Sequence, residues 1–150
     1  MSETDVKAQA LAEACAEAMY SNDRASQALG IKLVSVAPGS AAMSMTVRED
    51  MLNGHDICHG GFIFALADST FAFACNSRNH NTVAQGCSIE YVSPARGGDA
   101  LIATAEEQHQ AGRTGVYDVT VRNQNNDTIA IFRGKSYRIK GNLVEVDVAE

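Results

Sequence analysis

Tryptophan is absent from this 150-residue chain, and proline occurs only at positions 38 and 94. Collagen-like and linker-rich chains are thereby excluded, because both need far more proline. No apolar run reaches the roughly 20 residues that a membrane-spanning helix requires. The longest near-continuous one, Phe62 to Cys75, has 14 residues and contains an aspartate. Cationic side chains are the minority, 12 against 18 acids, for a formal charge of −6. That field repels duplex nucleic acid and anionic membrane surface, so neither is an expected partner. The four cysteines, at 15, 58, 75 and 87, lack the two-residue spacing of a redox or zinc motif. The N-terminus carries no basic-then-apolar leader pattern, and buried free thiols in a reducing cytoplasm are expected.

What is present is ordinary globular composition, 45% hydrophobic and 20% charged. A chain of this length folds as one domain with a core that needs no staples. Residues 5 to 20 read as a surface helix, with Leu11, Ala14, Cys15, Ala18 and Met19 on its apolar stripe. Arg24 to Leu29 adds one turn. Ile31 to Ala37 and Ala41 to Val47 read as a hairpin about Pro38-Gly39-Ser40. A polar loop from Glu49 to Gly61 leads into a long helix that ends near Asn76. Four strands follow, Val83 to Val92, Leu101 to His109, Gly115 to Asn123 and Thr128 to Ile139, separated by turn residues. From Gly141 the tail is acidic and expected to fray. Short turns between the last strands require a largely antiparallel sheet, and a single long helix excludes a doubly wound fold. A six-stranded sheet curled around one central helix is the expected α+β architecture.

The helix from Phe62 to Cys75 carries apolar residues on every face, which predicts burial. Asp68 is its only charge, followed by Ser69 and Thr70. A carboxylate held in apolar surroundings is costly, and functional sites are where chains tolerate that cost. The alternative is a structural carboxylate paired with an arginine or placed at an exposed bend. Ahead of the helix, Gly60-Gly61 leaves bare backbone N–H groups at a helix start, where an oxyanion is favoured. A carboxylate and an oxyanion donor together suit acyl transfer. The two are eight residues apart, about 12 Å of helical rise. One thioester carbon cannot meet both within a chain, so a site shared across a homodimer is expected.

Met51-Leu52-Asn53-Gly54-His55, Cys58-His59-Gly60-Gly61, Leu66-Ala67-Asp68 and Ala74-Cys75-Asn76-Ser77 resemble the PaaI-type hotdog thioesterases of bacterial phenylacetate degradation. Thr114-Gly115-Val116-Tyr117-Asp118-Val119 and Phe132-Arg133-Gly134-Lys135-Ser136 extend the resemblance, which runs from about Met19 to Ile139. It implies a hotdog fold for the thioesterase domain over 21–140; the first 18 residues are not covered by it, and the residues themselves give an N-terminal helical extension over 1–20 and an acidic tail over 141–150. The resemblance also implies hydrolysis of aromatic acyl-CoA esters. By resemblance, Asp68 is nucleophile or general base, the Gly60 N–H holds the thioester oxygen, His59 shapes the site, and Asn53 orients water or the carboxylate. Coenzyme A contacts are implied for Tyr91, Arg96, Gln110, Gly112, Arg113, Thr114 and Gly115. No separate cofactor or metal is expected, coenzyme A being part of the substrate. Its phosphates require local basic groups. Arg96 and Arg113 sit in turns that could converge, and Arg133, Lys135 and Arg138 lie in the last strand, although each singly reads as a solvated surface charge. A dimer of dimers is the expected assembly. An enoyl or 3-hydroxyacyl thioester dehydratase-hydratase, or a non-catalytic acyl-CoA binding module, are the alternatives.

Overall fold

In the computed structural model, which describes residues 1–146, the elements follow the expected order. They are α1 (Glu3–Asn22), α2 (Arg24–Ala28), β1 (Lys32–Ala37), β2 (Ser40–Thr46), α3 (Gly60–Cys75), β3 (Thr82–Tyr91), β4 (Ala100–Ala111), β5 (Thr114–Arg122) and β6 (Thr128–Arg138). The strands form one sheet, β1-β2-β4-β5-β6-β3, with every pairing antiparallel. Its inner face wraps α3.

Alternation in the sequence explains that wrap. Leu101, Ala103 and Ala105 of β4 point inward, as do Tyr117, Val119 and Val121 of β5 and Phe132 of β6. They pack on Ile63, Leu66, Ala67, Thr70, Phe71, Phe73 and Ala74 of α3. The alanines of β4 let the helix lie close. Thr70, the polar member of that buried face, donates its hydroxyl to the Leu66 carbonyl at 2.7 Å and so leaves no orphan donor. Gly134 of β6 is required by packing, because a Cβ there would sit 2.8 Å from the Phe71 ring.

Four expectations need correction. The buried side of α1 is Ala12, Cys15 and Ala16, while Ala14 is exposed; a helix rich in alanine does not mark its own stripe. The chain from Gly141 is not loose at once, since the Asn79 side chain accepts from the Leu143 and Val144 N–H groups at 2.9 Å each. Residues 147–150 of that tail lie outside the described residues. Cys15 and Cys58 are buried, but Cys75 is half-buried and Cys87 exposed. Finally, α3 is not covered all round: Gly61 is exposed, and Ala65, Asp68 and Ala72 are only half-buried. Those four positions, at spacings of four, three and four, form one flank. The neighbouring edge strand β3 is open too, exposed on both faces from Val83 to Ser88.

Candidate active site

Asp68 stands midway along that open flank. Its half-buried carboxyl is pushed above the usual carboxylate range by desolvation. No hydrogen bond or ion pair reaches it among the described residues, and its neighbour Ser69 turns instead to the Ser26 hydroxyl at 3.0 Å. The strand facing it can be identified by register. Cys87 lies opposite Gly134 and Ile89 opposite Phe132, and both β6 residues face α3; directly opposed residues share a face. Tyr91 touches Gly60. Four residues of strand from Tyr91 to Cys87 cover about 13 Å, and eight residues of helix from Gly60 to Asp68 cover about 12 Å. Cys87 is therefore level with Asp68. Burial and then the Asp68 charge raise the Cys87 thiol pKa, so the thiol holds its proton. Cys75, two helical turns beyond Asp68, is pushed up to about 12, chiefly by burial.

At the other end of this distance is the start of α3. The His59 Nδ1 caps the helix by accepting from the Gly61 N–H at 2.9 Å. The Gly60 N–H, first in the helix, has no acceptor among the described residues. A bare donor at a helix N-terminus is suited to an oxyanion. Gly60, Asn53, Cys58, Ile63 and the segment from Tyr91 to Ala95 line a mainly apolar cleft of about 450 Å³. Burial and then the Asp99 charge push the Cys58 thiol up, so it stays protonated there. The Asn53 Oδ1 is engaged by its own loop, accepting from the N–H groups of His55 at 2.9 Å and Ile57 at 3.4 Å. Its amide nitrogen is the end left for a ligand.

The residues assigned to coenzyme A separate into two groups. Tyr91 and Arg96 lie beside the N-terminus of α3. Arg96, ahead of β4, lines a cleft with Asn123, Asn125 and Asp127 of the β5–β6 turn. Gln110, Gly112 and Arg113 close the far end of β4, next to the C-terminus of α3. Arg96 and Arg113 thus sit at opposite ends of the 12-residue β4, about 40 Å of strand, and do not converge within one chain. Residue spacing alone did not reveal this; counting strand length between the two turns would have. Thr114 closes the β4–β5 turn by donating to the Ala111 carbonyl at 3.3 Å. Buried Gly115 makes room for the Gln110 and Ser136 side chains, which a Cβ would meet at 2.3 and 2.8 Å.

Arg113 has the company expected of Arg138, and also that of His80 and Lys140, which the sequence did not single out. His80, Arg138 and Lys140 join it around a cleft of about 530 Å³ with no carboxylate in its lining. The Arg138 guanidinium lies 2.8 Å from the His80 Nδ1. Partial burial, then the Arg138 and Arg78 charges, lower the His80 pKa. In an acidic chain this is a local cationic patch. The other two basic groups of the last strand behave differently: Arg133 is paired with Asp118 at 2.6 Å on the outer face, and Lys135 is exposed.

Comparison with known proteins now decides the family. The thioesterase superfamily model matches residues 55–130, which hold the glycine turn, Asp68 and all of the cleft lining except Asn53. The chain belongs to that superfamily. Within it this thioesterase is of the PaaI type, with the hotdog fold. It is 51% identical over 128 residues to the acyl-coenzyme A thioesterase PaaI of Escherichia coli, covering 85% of this chain and 91% of that protein. The solved structure of E. coli PaaI, from the phenylacetic acid degradation operon, superposes with a TM-score of 0.88 at 49% identity, covering 89% and 97% of the two chains. A Streptococcus mutans protein solved with acetyl-CoA bound has a TM-score of 0.72 at 28% identity, covering 75% of this thioesterase and 90% of that chain.

Proposed function

We propose that this thioesterase hydrolyses aromatic acyl-CoA esters of the phenylacetyl or hydroxyphenylacetyl type in phenylacetate catabolism, with Asp68 as general base. The observation that carries the reading is a carboxylate without a partner among the described residues, half-buried in an apolar helix beside an unpaired strand edge. A carboxyl raised above its usual range is a stronger base than an ordinary one. It takes a proton from water as the water oxygen bonds to the thioester carbon. The oxygen of the carbonyl becomes an anion held by a Gly60 N–H. As the carbonyl re-forms the carbon–sulfur bond breaks, and Asp68 returns its proton to the leaving sulfur, which releases the carboxylic acid and the thiol of coenzyme A and restores the carboxylate. Further support for this substrate comes from the operon of E. coli PaaI and the acetyl-CoA bound by the S. mutans protein.

The Gly60 N–H that serves each Asp68 belongs to a second copy of the chain. Within one chain the two are about 12 Å apart along a continuous helix. The edge of β3, ten residues long and uncovered, is the kind of strand that pairs with another. An antiparallel β3–β3 pairing would cover the open flank of both helices, and two such dimers would form the tetramer. It would also bring the cationic patch of Arg113 and Arg138 from one chain toward Arg96 of the other, where the phosphates of coenzyme A lie. The catalytic unit spans 21–140, with 1–20 as a helical extension and 141–150 as a tail. Among the described residues no helix is long and apolar enough to cross a membrane. The cytoplasm is proposed separately, as the compartment of a chain with unpaired cysteines.

Thiol release from phenylacetyl-CoA by the wild-type chain, and its loss in Asp68→Asn, tests this function. Hydration of an enoyl-CoA with the thioester intact would instead identify a hydratase. Saturable binding without turnover would identify a binding module.

A further inference from the structure

The glycine turn at the start of α3 is held by more than its own loop. Three consecutive peptide groups meet there, and each has a different status. The His59 N–H donates to the Met51 carbonyl at 2.8 Å, which fixes the peptide before His59. The Gly60–Gly61 peptide is fixed at both ends: its N–H donates to the His59 Nδ1 at 2.9 Å, and its carbonyl accepts from the Tyr91 hydroxyl at 2.9 Å. Between these two lies the His59–Gly60 peptide, whose carbonyl accepts from the Phe62 N–H at 3.0 Å and whose N–H has no acceptor among the described residues. A donor flanked by two fixed peptides cannot swing freely, and a donor that needs no reorganisation is what stabilises an oxyanion well.

Tyr91 is the member of this arrangement that comes from elsewhere in the chain, at the end of β3. Its ring lies against Gly60 so closely that a Cβ there would meet the Tyr91 Cζ at 3.0 Å and its hydroxyl oxygen at 3.2 Å. The residue at 60 is thus glycine for two reasons, the bare N–H in front and the tyrosine ring beside it. The backbone that carries it stays anchored past the end of β3, the Val92 N–H donating to the Ile129 carbonyl at 2.9 Å. Desolvation raises the phenol's pKa, so the hydroxyl remains a donor at the pH of any assay. Acceptance at Nδ1 also puts the His59 ring proton on Nε2.

We infer that Tyr91 is a positioning residue: its hydroxyl and ring hold the Gly60–Gly61 peptide so that the neighbouring Gly60 N–H is aimed at the thioester oxygen. This rests on the reading of the Gly60 N–H as oxyanion donor. It differs from a coenzyme A contact in where its loss is felt. A contact to the CoA moiety acts in ground state and transition state alike and moves KM, whereas aim of the oxyanion donor counts chiefly in the transition state and moves kcat.

The test is steady-state hydrolysis of phenylacetyl-CoA by Tyr91→Phe and Gly60→Pro, each verified as folded by circular dichroism and melting. Phenylalanine keeps the ring that packs on Gly60, so the first variant isolates the hydroxyl; proline suits the first position of a helix and removes the N–H. Because its Cβ also meets the Tyr91 ring at 3.0 Å, Gly60→Ala, which adds the Cβ and keeps the N–H, is the control against which its loss is read. The expected result is a roughly two- to ten-fold fall in kcat for Tyr91→Phe, the scale of one neutral hydrogen bond. Its KM and its inhibition by free coenzyme A should be unchanged, and Gly60→Pro should be inactive. Wild-type kcat in Tyr91→Phe with an inactive Gly60→Pro overturns the positioning role and leaves the oxyanion donor standing. A raised KM with kcat unchanged also overturns it, in favour of a coenzyme A contact. Wild-type kcat in both variants overturns the oxyanion donor and the positioning role together.

Discussion

Replacing Asp68 by asparagine should remove activity and at the same time make the protein more stable. The side chain keeps its shape, but the group that takes a proton from water is gone. Loss of a positioned general base costs roughly 10²–10⁴ in rate. Folded, the wild-type carboxylate is half-buried with no donor to compensate it; asparagine removes that charge. The gain should be on the order of 1 kcal/mol, since a site that admits substrate and water leaves part of the penalty screened even where a second copy covers the flank. For a chain of this length 1 kcal/mol raises Tm by about 2–4 °C. The pH dependence fixes the cause. An acid whose pKa is raised on folding carries its penalty fully above the folded pKa, and the penalty disappears below the unfolded value. The Tm advantage of Asp68→Asn should therefore be present at neutral pH and vanish as the pH falls below the usual 3.8. Activity of the wild type should fail on the acid side through a midpoint above that same value. Melting curves from pH 3 to 8 (on the order of one per half unit), beside thiol-release rates, measure both. An Asp68→Asn chain that melts several degrees lower at neutral pH, or that retains wild-type kcat, refutes the reasoning.

Two other substitutions test packing and charge. Gly134→Val puts a side chain where a Cβ alone would lie 2.8 Å from the fully buried Phe71 ring. It should cost about 1–3 kcal/mol, read as a fall in Tm of roughly 2–12 °C, and Phe71→Leu in the same chain should restore part of it. Arg113→Gln removes one cation from the patch with Arg138 and Lys140. KM for the acyl-CoA should rise roughly two- to ten-fold with kcat little altered, and the difference should narrow as salt is added.

The fold was largely readable because its signals are local. Alternation in β4 and β5, turn residues at Gly112-Arg113 and Asn125-Asn126, and one helix apolar on all sides place every element to within a few residues. Asp68 was legible for the same reason, as the one charge in an oily run. What escaped were relations between distant segments. The alanines of α1 left its buried face undefined until it met β1. Arg96 and Arg113 looked like neighbours because both are turn arginines, yet the length of β4 sets them apart. His80 and Arg138 are 58 residues apart in sequence, and no local pattern announces their meeting. The contact of the Tyr91 hydroxyl with the Gly60 carbonyl spans 31 residues, and it too has no local signal. The uniform apolarity of α3 predicted complete burial, but the flank bearing Asp68 is open in the single chain. A sequence records that a surface must be covered and not which molecule covers it.

Mixed assemblies test most directly whether that cover is a second copy carrying half of the site. Asp68→Ala and Gly60→Pro chains, each inactive alone, are co-refolded and the hybrids isolated through two different affinity tags. A hybrid dimer holds one intact pairing of Asp68 with a Gly60 N–H from the opposite chain and one doubly defective pairing. It should recover up to about half of the wild-type thiol-release rate per dimer. Verified hybrids that stay as inactive as their parents would contradict a site built across two chains.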